Sequence, residues 1–135
     1  MSAFRASRGE HAGRRHSRAS GSAYTLDAVL IVPLRNALRG SEAIRRYDDA
    51  IQSAFPDARL TISRPVVRGK QTAVEWEYRG TNTGPIALPG GVVSATNRPV
   101  VLRGASFLRF TPDGLIAEER RYYDVCALLD QLGVS

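Results

Sequence analysis

Phe107-Leu-Arg-Phe-Thr-Pro-Asp-Gly114, Leu115-Ile-Ala-Glu-Glu-Arg-Arg-Tyr-Tyr-Asp124 and Val125-Cys-Ala-Leu-Leu-Asp-Gln-Leu-Gly133 run on from one another at the end of the chain. They read as strand, tight turn, strand and a short closing helix. Pro112-Asp113-Gly114 is turn chemistry, since proline pre-sets its own φ and glycine tolerates a positive one. The flanking runs are rich in β-branched, aromatic and long side chains, which favour strands. After Asp124 the period changes: Val125, Leu128, Leu129 and Leu132 recur at helical spacing, and Gly133 supplies a stop.

Upstream, Tyr24 to Leu34 is mostly apolar, and a short helix over Leu26–Leu30 ended by Pro33 is predicted. Ser41 reads as an N-cap with Glu42 in the first turn. The helix that follows puts Ile44, Tyr47, Ile51 and Ala54 on one face. Arg45, Arg46, Asp48, Asp49 and Gln52 lie on the other, read as solvated. Leu60–Val67 turns at Arg68-Gly69-Lys70 into Thr72–Arg79. There Val74, Trp76 and Tyr78 alternate with Glu75, Glu77 and Arg79, so the aromatic side faces inward. A Gly- and Pro-rich loop spans residues 83–99, and its length and glycines suit a mobile lid. Val100–Phe110 and Leu115–Tyr123 form the final hairpin.

Four of these segments, in this order, resemble the SnoaL-like polyketide cyclase family of the nuclear transport factor 2-like superfamily. They are Leu38–Ile44 with Ala54–Asp57, then Val74–Gly84, then the two halves of the closing stretch. The resemblance covers Tyr24 to Gly133 and implies an α+β fold. In that fold a curved, mixed or antiparallel sheet wraps around helices as a cone with a ligand cavity. Family members begin with a long amphipathic helix that closes the cone; here that position falls in an arginine-rich stretch without an apolar period.

A chain of 135 residues is long enough for one domain with a sizeable core. No apolar run approaches the length of about 20 residues that a membrane span needs, and no continuous apolar segment near the start suggests a secretory signal. Residues 1–22 carry Arg5, Arg8, Arg14, Arg15 and Arg18 against Glu10 alone, so much of the net +6 belongs to them. They read as a disordered basic tail, or as residues upstream of the true start, ahead of a single domain over 23–135. Without aromatic interleaving or a helical basic stripe, nucleic-acid binding is disfavoured. Cys126 is the single cysteine, which excludes an internal disulfide and a cysteine-rich zinc site. It reads as packed beside the helix leucines in a protein of the reducing cytoplasm.

No phosphate loop, nucleophile elbow or paired-histidine helix is present. Both histidines, His11 and His16, lie in the tail, which argues against hydrolase triads and most transition-metal sites. The resemblance implies an acid on the last strand and a histidine on the preceding one, moving protons in an aldol closure. Those positions fall on Arg121 and Ser106. Arginine stays protonated and is no ordinary base, so that mechanism does not carry over unaltered.

With Arg121 inward, period two brings Glu119 and Tyr123 to the same face. Leu102, Gly104, Ser106 and Leu108 line the neighbouring strand, with Trp76 and Tyr78 opposite. That set is apolar with a few convergent polar groups, the make-up of a small-molecule pocket. Glu119, raised by burial, would act as base, and Arg121 would hold a ligand carboxylate or an enolate. Asp124 is an N-cap or a pocket acid. The pattern also allows the opposite face, with Arg120, Tyr122 and Asp124 inward.

The expectation is a domain that binds a small apolar or polyketide-like molecule, without metal or organic cofactor. Its chemistry would be proton transfer, as in an ester cyclase or isomerase. The rival reading is a non-catalytic ligand-binding or dimerisation module that has lost the family's acid and histidine. A homodimer is compatible with either.

Overall fold

The computed structural model describes residues 23–134. The expectations for the basic tail, with its arginines and both histidines, lie outside the described residues. The chain runs β1 (Tyr24–Ile31), β2 (Leu38–Arg39), α1 (Ser41–Ala54), β3 (Arg59–Ile62), β4 (Val66–Arg68), β5 (Gln71–Thr81), β6 (Ile86–Leu88), β7 (Gly91–Val93), β8 (Pro99–Phe110), β9 (Ile116–Tyr123) and α2 (Val125–Leu132). Seven strands form one sheet in the order β2-β1-β9-β8-β5-β3, with β4 also on β5. Among the described residues only β1 on β9 is parallel; the other pairs are antiparallel. The curved sheet stays open, with α1 against β1 and α2 against β8.

The closing stretch folds as its sequence predicts. Across the turn the Thr111 N–H donates to the Leu115 carbonyl and the Leu115 N–H donates to the Thr111 hydroxyl, and Gly114 adopts φ +87°. Gly133 caps α2 in the left-handed conformation, where a β-carbon would be strained. The aromatic side of β5 does face inward: Val74 and Trp76 are buried and Tyr78 packs against the core. Ile44, Tyr47, Ile51 and Ala54 of α1 point into the same core.

Several expectations are corrected. The segment predicted as a helix over Leu26–Leu30 is strand β1, in which Ala28 and Leu30 are buried, an alternation that Val32 continues just beyond the strand. Its partner is β9, far away in sequence, so pairing overrides local propensity. The N-cap of α1 is Gly40 and not Ser41, and no side chain caps the helix. Gly40 holds φ +95° while its N–H reaches the Ala28 carbonyl at 2.7 Å, a geometry that favours glycine. The run Leu60–Val67 is broken into β3 and β4 around Arg64-Pro65, because proline cannot join the ladder.

The loop over 83–99 carries the β6–β7 hairpin. Buried Asn82 anchors it: its amide donates to the Ala54 and Gly84 carbonyls, and its oxygen accepts from the Thr96 N–H and hydroxyl. Cys126 is exposed on α2, while Leu132 is the buried residue of that helix.

Candidate functional site

Strand β9 settles which face looks inward. Glu119 and Arg121 are buried, Tyr123 packs against the core, and Tyr122 is half exposed. Cross-strand register sets Ser106 opposite Arg121 and Leu108 opposite Glu119 on β8, and Ser106 opposite Val74 on β5. The inward set of Trp76, Tyr78, Leu102, Ser106, Leu108, Glu119, Arg121 and Tyr123 is therefore brought together. Asp124 stands apart. It is exposed, and its carboxylate accepts the Ala127 N–H at 3.1 Å as the N-cap of α2.

The centre of the site is ionic. Arg121 donates from Nε to Glu119 Oε2 at 2.8 Å and from Nη1 to Asp48 Oδ1 at 3.0 Å. Its Nη2 reaches Asp48 Oδ2, Glu119 Oε1 and the Tyr24 hydroxyl, each at 3.4 Å. Tyr24 donates its hydroxyl to Glu119 Oε1 in a short bond. Four residues from β1, α1 and β9 thus tie three elements together inside the cone.

Asp48 was the residue missed. Read as solvated, it is only 3% exposed. The signal was its position four residues after Ile44 and three before Ile51, on the side that faces the core. Desolvation is offset by the guanidinium it faces.

Burial pushes the Glu119 carboxyl up, but the field of Arg121 acts the other way and the group lies below its ordinary value. The rise expected from burial alone is therefore reversed. Arg121 is driven above its ordinary value, burial being outweighed by Asp48 and Glu119. Tyr24 is pushed well up by burial and then by Glu119. At neutral pH Glu119 is an ionised carboxylate, Arg121 a guanidinium and Tyr24 a neutral phenol.

Around it stand hydrogen-bonding aromatics. Trp76 donates its indole N–H to Ser106 Oγ at 3.0 Å and meets the Tyr123 ring edge-on. A β-carbon on Gly104 would collide with the Trp76 ring and with the Tyr122 carbonyl, so the glycine makes room for the indole. The Tyr78 ring packs edge-on against Phe55, and its hydroxyl is buried with no hydrogen-bond partner among the described residues. Burial first, and then Asp48 and Asp57, push that phenol well above its ordinary value.

Among the described residues no group of three or more His, Cys, Asp or Glu is arranged to hold a metal ion. No helix among them is long and apolar enough to cross a membrane. Two hollows lie away from this centre: one along α2 by Cys126, Ala127, Leu129 and Asp130, and a very small one by Phe107, Arg109 and Arg120.

A family model described as the SnoaL-like domain matches residues 10–119. The chain belongs to the SnoaL-like domain family. The match begins within the arginine-rich stretch and ends at Glu119, so it takes in Tyr24, Asp48, Trp76, Tyr78 and Ser106. No curated protein matches the chain.

Solved structures share the fold of this SnoaL-like domain. A candidate SnoaL-like polyketide cyclase from Jannaschia sp. CCS1 superposes with a TM-score of 0.77 at 18% identity, over 88% of this chain and 79% of that one. TsrD from Streptomyces laurentii gives 0.73 at 24% identity, over 88% and 84%. A protein of ketosteroid isomerase-like fold from Catenulispora acidiphila, in complex with trimethylamine, gives 0.71 at 20%, over 89% and 84%.

Proposed function

We propose that this SnoaL-like domain binds a small, largely apolar, carbonyl-bearing molecule inside the cone and moves a proton on it without a metal or organic cofactor. The observation that carries this reading is the Tyr78 hydroxyl: buried, protonated at neutral pH, and without a partner among the described residues. A buried donor left unmade is costly, and a ligand carbonyl or oxyanion would satisfy it. Trp76 and Tyr123 supply apolar walls, and Leu102 and Leu108 the floor.

In this reading Glu119 accepts the proton and Arg121 holds it in place, shared with Asp48. A carboxylate kept below its ordinary pKa is a weak base. It therefore suits a carbon acid already activated by two flanking carbonyls, as in a polyketide-like chain. Arg121 does not take a ligand anion, because its donors are engaged by Asp48, Glu119 and Tyr24. Asp124 serves α2 and not the reaction. The single exposed thiol of Cys126 suits a reducing cytoplasm.

The same engagement favours a second reading, in which the ionic centre is an internal tie and the domain only binds. Benzoylacetone, an apolar β-diketone, separates the two. Its keto–enol interconversion is followed by ultraviolet absorbance, and its binding by Trp76 fluorescence. Proton-transfer catalysis predicts acceleration over buffer, lost in Glu119→Gln and weakened in Tyr78→Phe. Quenching of Trp76 without acceleration supports the binding module. Neither effect removes both readings for this ligand class.

A further inference from the structure

The connection between β1 and β2, residues 32–37, carries features that a plain link does not require. Strands β1 and β9 run parallel with Ile31 beside Arg120, so the loop emerges at the end of β9 that holds Tyr123. Pro33 and Leu34 form its turn. Leu34 holds φ +64°, a left-handed backbone that favours glycine, and keeps its side chain largely in solvent. Strain of this kind in a non-glycine residue gathers at ligand sites. The next residue, Arg35, is exposed, and its guanidinium carbon lies 5.1 Å from the centre of the Tyr47 ring. No acid among the described residues pairs with it. The loop contains none, and the two acids after Tyr47 are engaged, Asp48 by Arg121 and Asp49 by Arg45.

We infer that Arg35 binds a ligand carboxylate at the rim of the cone, so that the molecule taken up is an apolar keto acid with its body inside and its charged end at the surface. This rests on the reading of the interior given under the proposed function. Arg35 stands at the outer end of a graded run of side chains. Tyr47 packs against the core from α1, one residue before Asp48. Tyr123 is raised chiefly by burial and then by Tyr47, while Arg121 and Arg35 both act on its phenol in the opposite sense. The Tyr123 ring in turn meets Trp76, which donates to buried Ser106. The two guanidinia differ in what occupies them. Arg121 has its donors engaged by Asp48, Glu119 and Tyr24, whereas Arg35 is held by a ring contact that leaves its N–H donors open to a ligand. A planar fork of donors matches a carboxylate with two parallel bonds, and the Tyr47 ring steadies the fork. One guanidinium balances one negative charge, and Pro33 offers no N–H, so the site suits a carboxylate better than a phosphate dianion. Exposed Leu34 beside it offers an apolar contact to the carbon chain behind the carboxylate.

Titration calorimetry of the full chain with 4-benzoylbutyrate and its neutral amide, 4-benzoylbutyramide, tests it. The two share an aryl ketone and differ in charge at the far end. The acid is expected to bind about tenfold more tightly than the amide, the effect of one charge-assisted contact. Arg35→Gln is expected to weaken the acid by about the same factor and to leave the amide unchanged. Arg35→Lys keeps the charge but loses the fork, and is expected to restore part of the preference. Arg35 is exposed, so circular dichroism of both variants should remain that of a folded domain. Arg68→Gln removes an exposed arginine from β4 as a control for net charge, and should leave both affinities as they were. Equal affinity of acid and amide for the unaltered protein overturns the inference while the interior reading stands. A preference for the acid that survives Arg35→Gln, or is lost equally in Arg68→Gln, also overturns it. If neither compound binds, the inference and the interior reading fail together for this ligand class.

Discussion

Arg121 is held by carboxylates on two different elements, and this makes it a stability residue before it is anything else. Truncation to Ala would strand Asp48 and Glu119 in the interior. Breaking a buried pair by removing one partner costs about 3–5 kcal/mol. Arg121→Ala is therefore expected to lower the urea midpoint sharply, and loss of ligand binding in that variant would reflect the fold as much as the site. Gly104 is the other residue with a sharp expectation. A methyl group there meets the Trp76 ring and the Tyr122 carbonyl, so Gly104→Ala is expected to cost about 1–3 kcal/mol. Trp76 fluorescence should shift in the native state, and an unchanged spectrum would show that the indole does not rest on that glycine. Of these residues, Arg121 and Glu119 were legible as one of the two faces that period two allows. Asp48 was not, because a charged residue on an amphipathic helix is ordinarily read as solvated, and its partner lies 73 positions away.

At the scale of elements, what the sequence revealed was what neighbouring residues decide. Alternation gave the inward phase of β5, but on β9 it allowed either face, because Arg120 and Tyr122 repeat the chemistry of Arg121 and Tyr123. Turn chemistry gave Thr111–Leu115, and the change of period gave α2. Strand β1 was hidden, since its apolar run suits a short helix until a distant partner is supplied. The β6–β7 hairpin was hidden too; its anchor, Asn82, works through tertiary bonds to Ala54 and Thr96. Asp124 was legible as a cap, and its prediction belongs here. Asp124→Ala removes the bond to the Ala127 N–H and is expected to cost about 1 kcal/mol, seen as a lower midpoint in denaturant. Binding and any turnover should be unaffected, because the side chain is outside the buried set. A loss of turnover at unchanged stability would return Asp124 to the site.

The whole molecule is bounded by its buried ionisable groups. Glu119 titrates below its ordinary value of 4.5, so its contribution is present above that pH and is lost as pH falls through the folded value. Tyr24 titrates above its ordinary value of 10.0, so its contribution is present below that pH and is lost as pH rises. Tyr78 and Tyr123, both raised chiefly by burial, act in the same direction. Stability against pH is expected to be flat between these limits and to fall on both sides. A spectrophotometric titration in which these tyrosines ionise in the folded protein near pH 10 would contradict the burial described. The pairing of β1 with β9 also governs how the chain is made. Tyr24 and Leu30 find their strand partners at Ile116 and Glu119, far along the chain. During synthesis, at roughly 5–20 residues per second, the N-terminal strand leaves the ribosome many seconds before its neighbour exists. Until then its edge is open and the ionic centre is unassembled, so nascent chains interrupted before β9 are the form of this protein most in need of a chaperone.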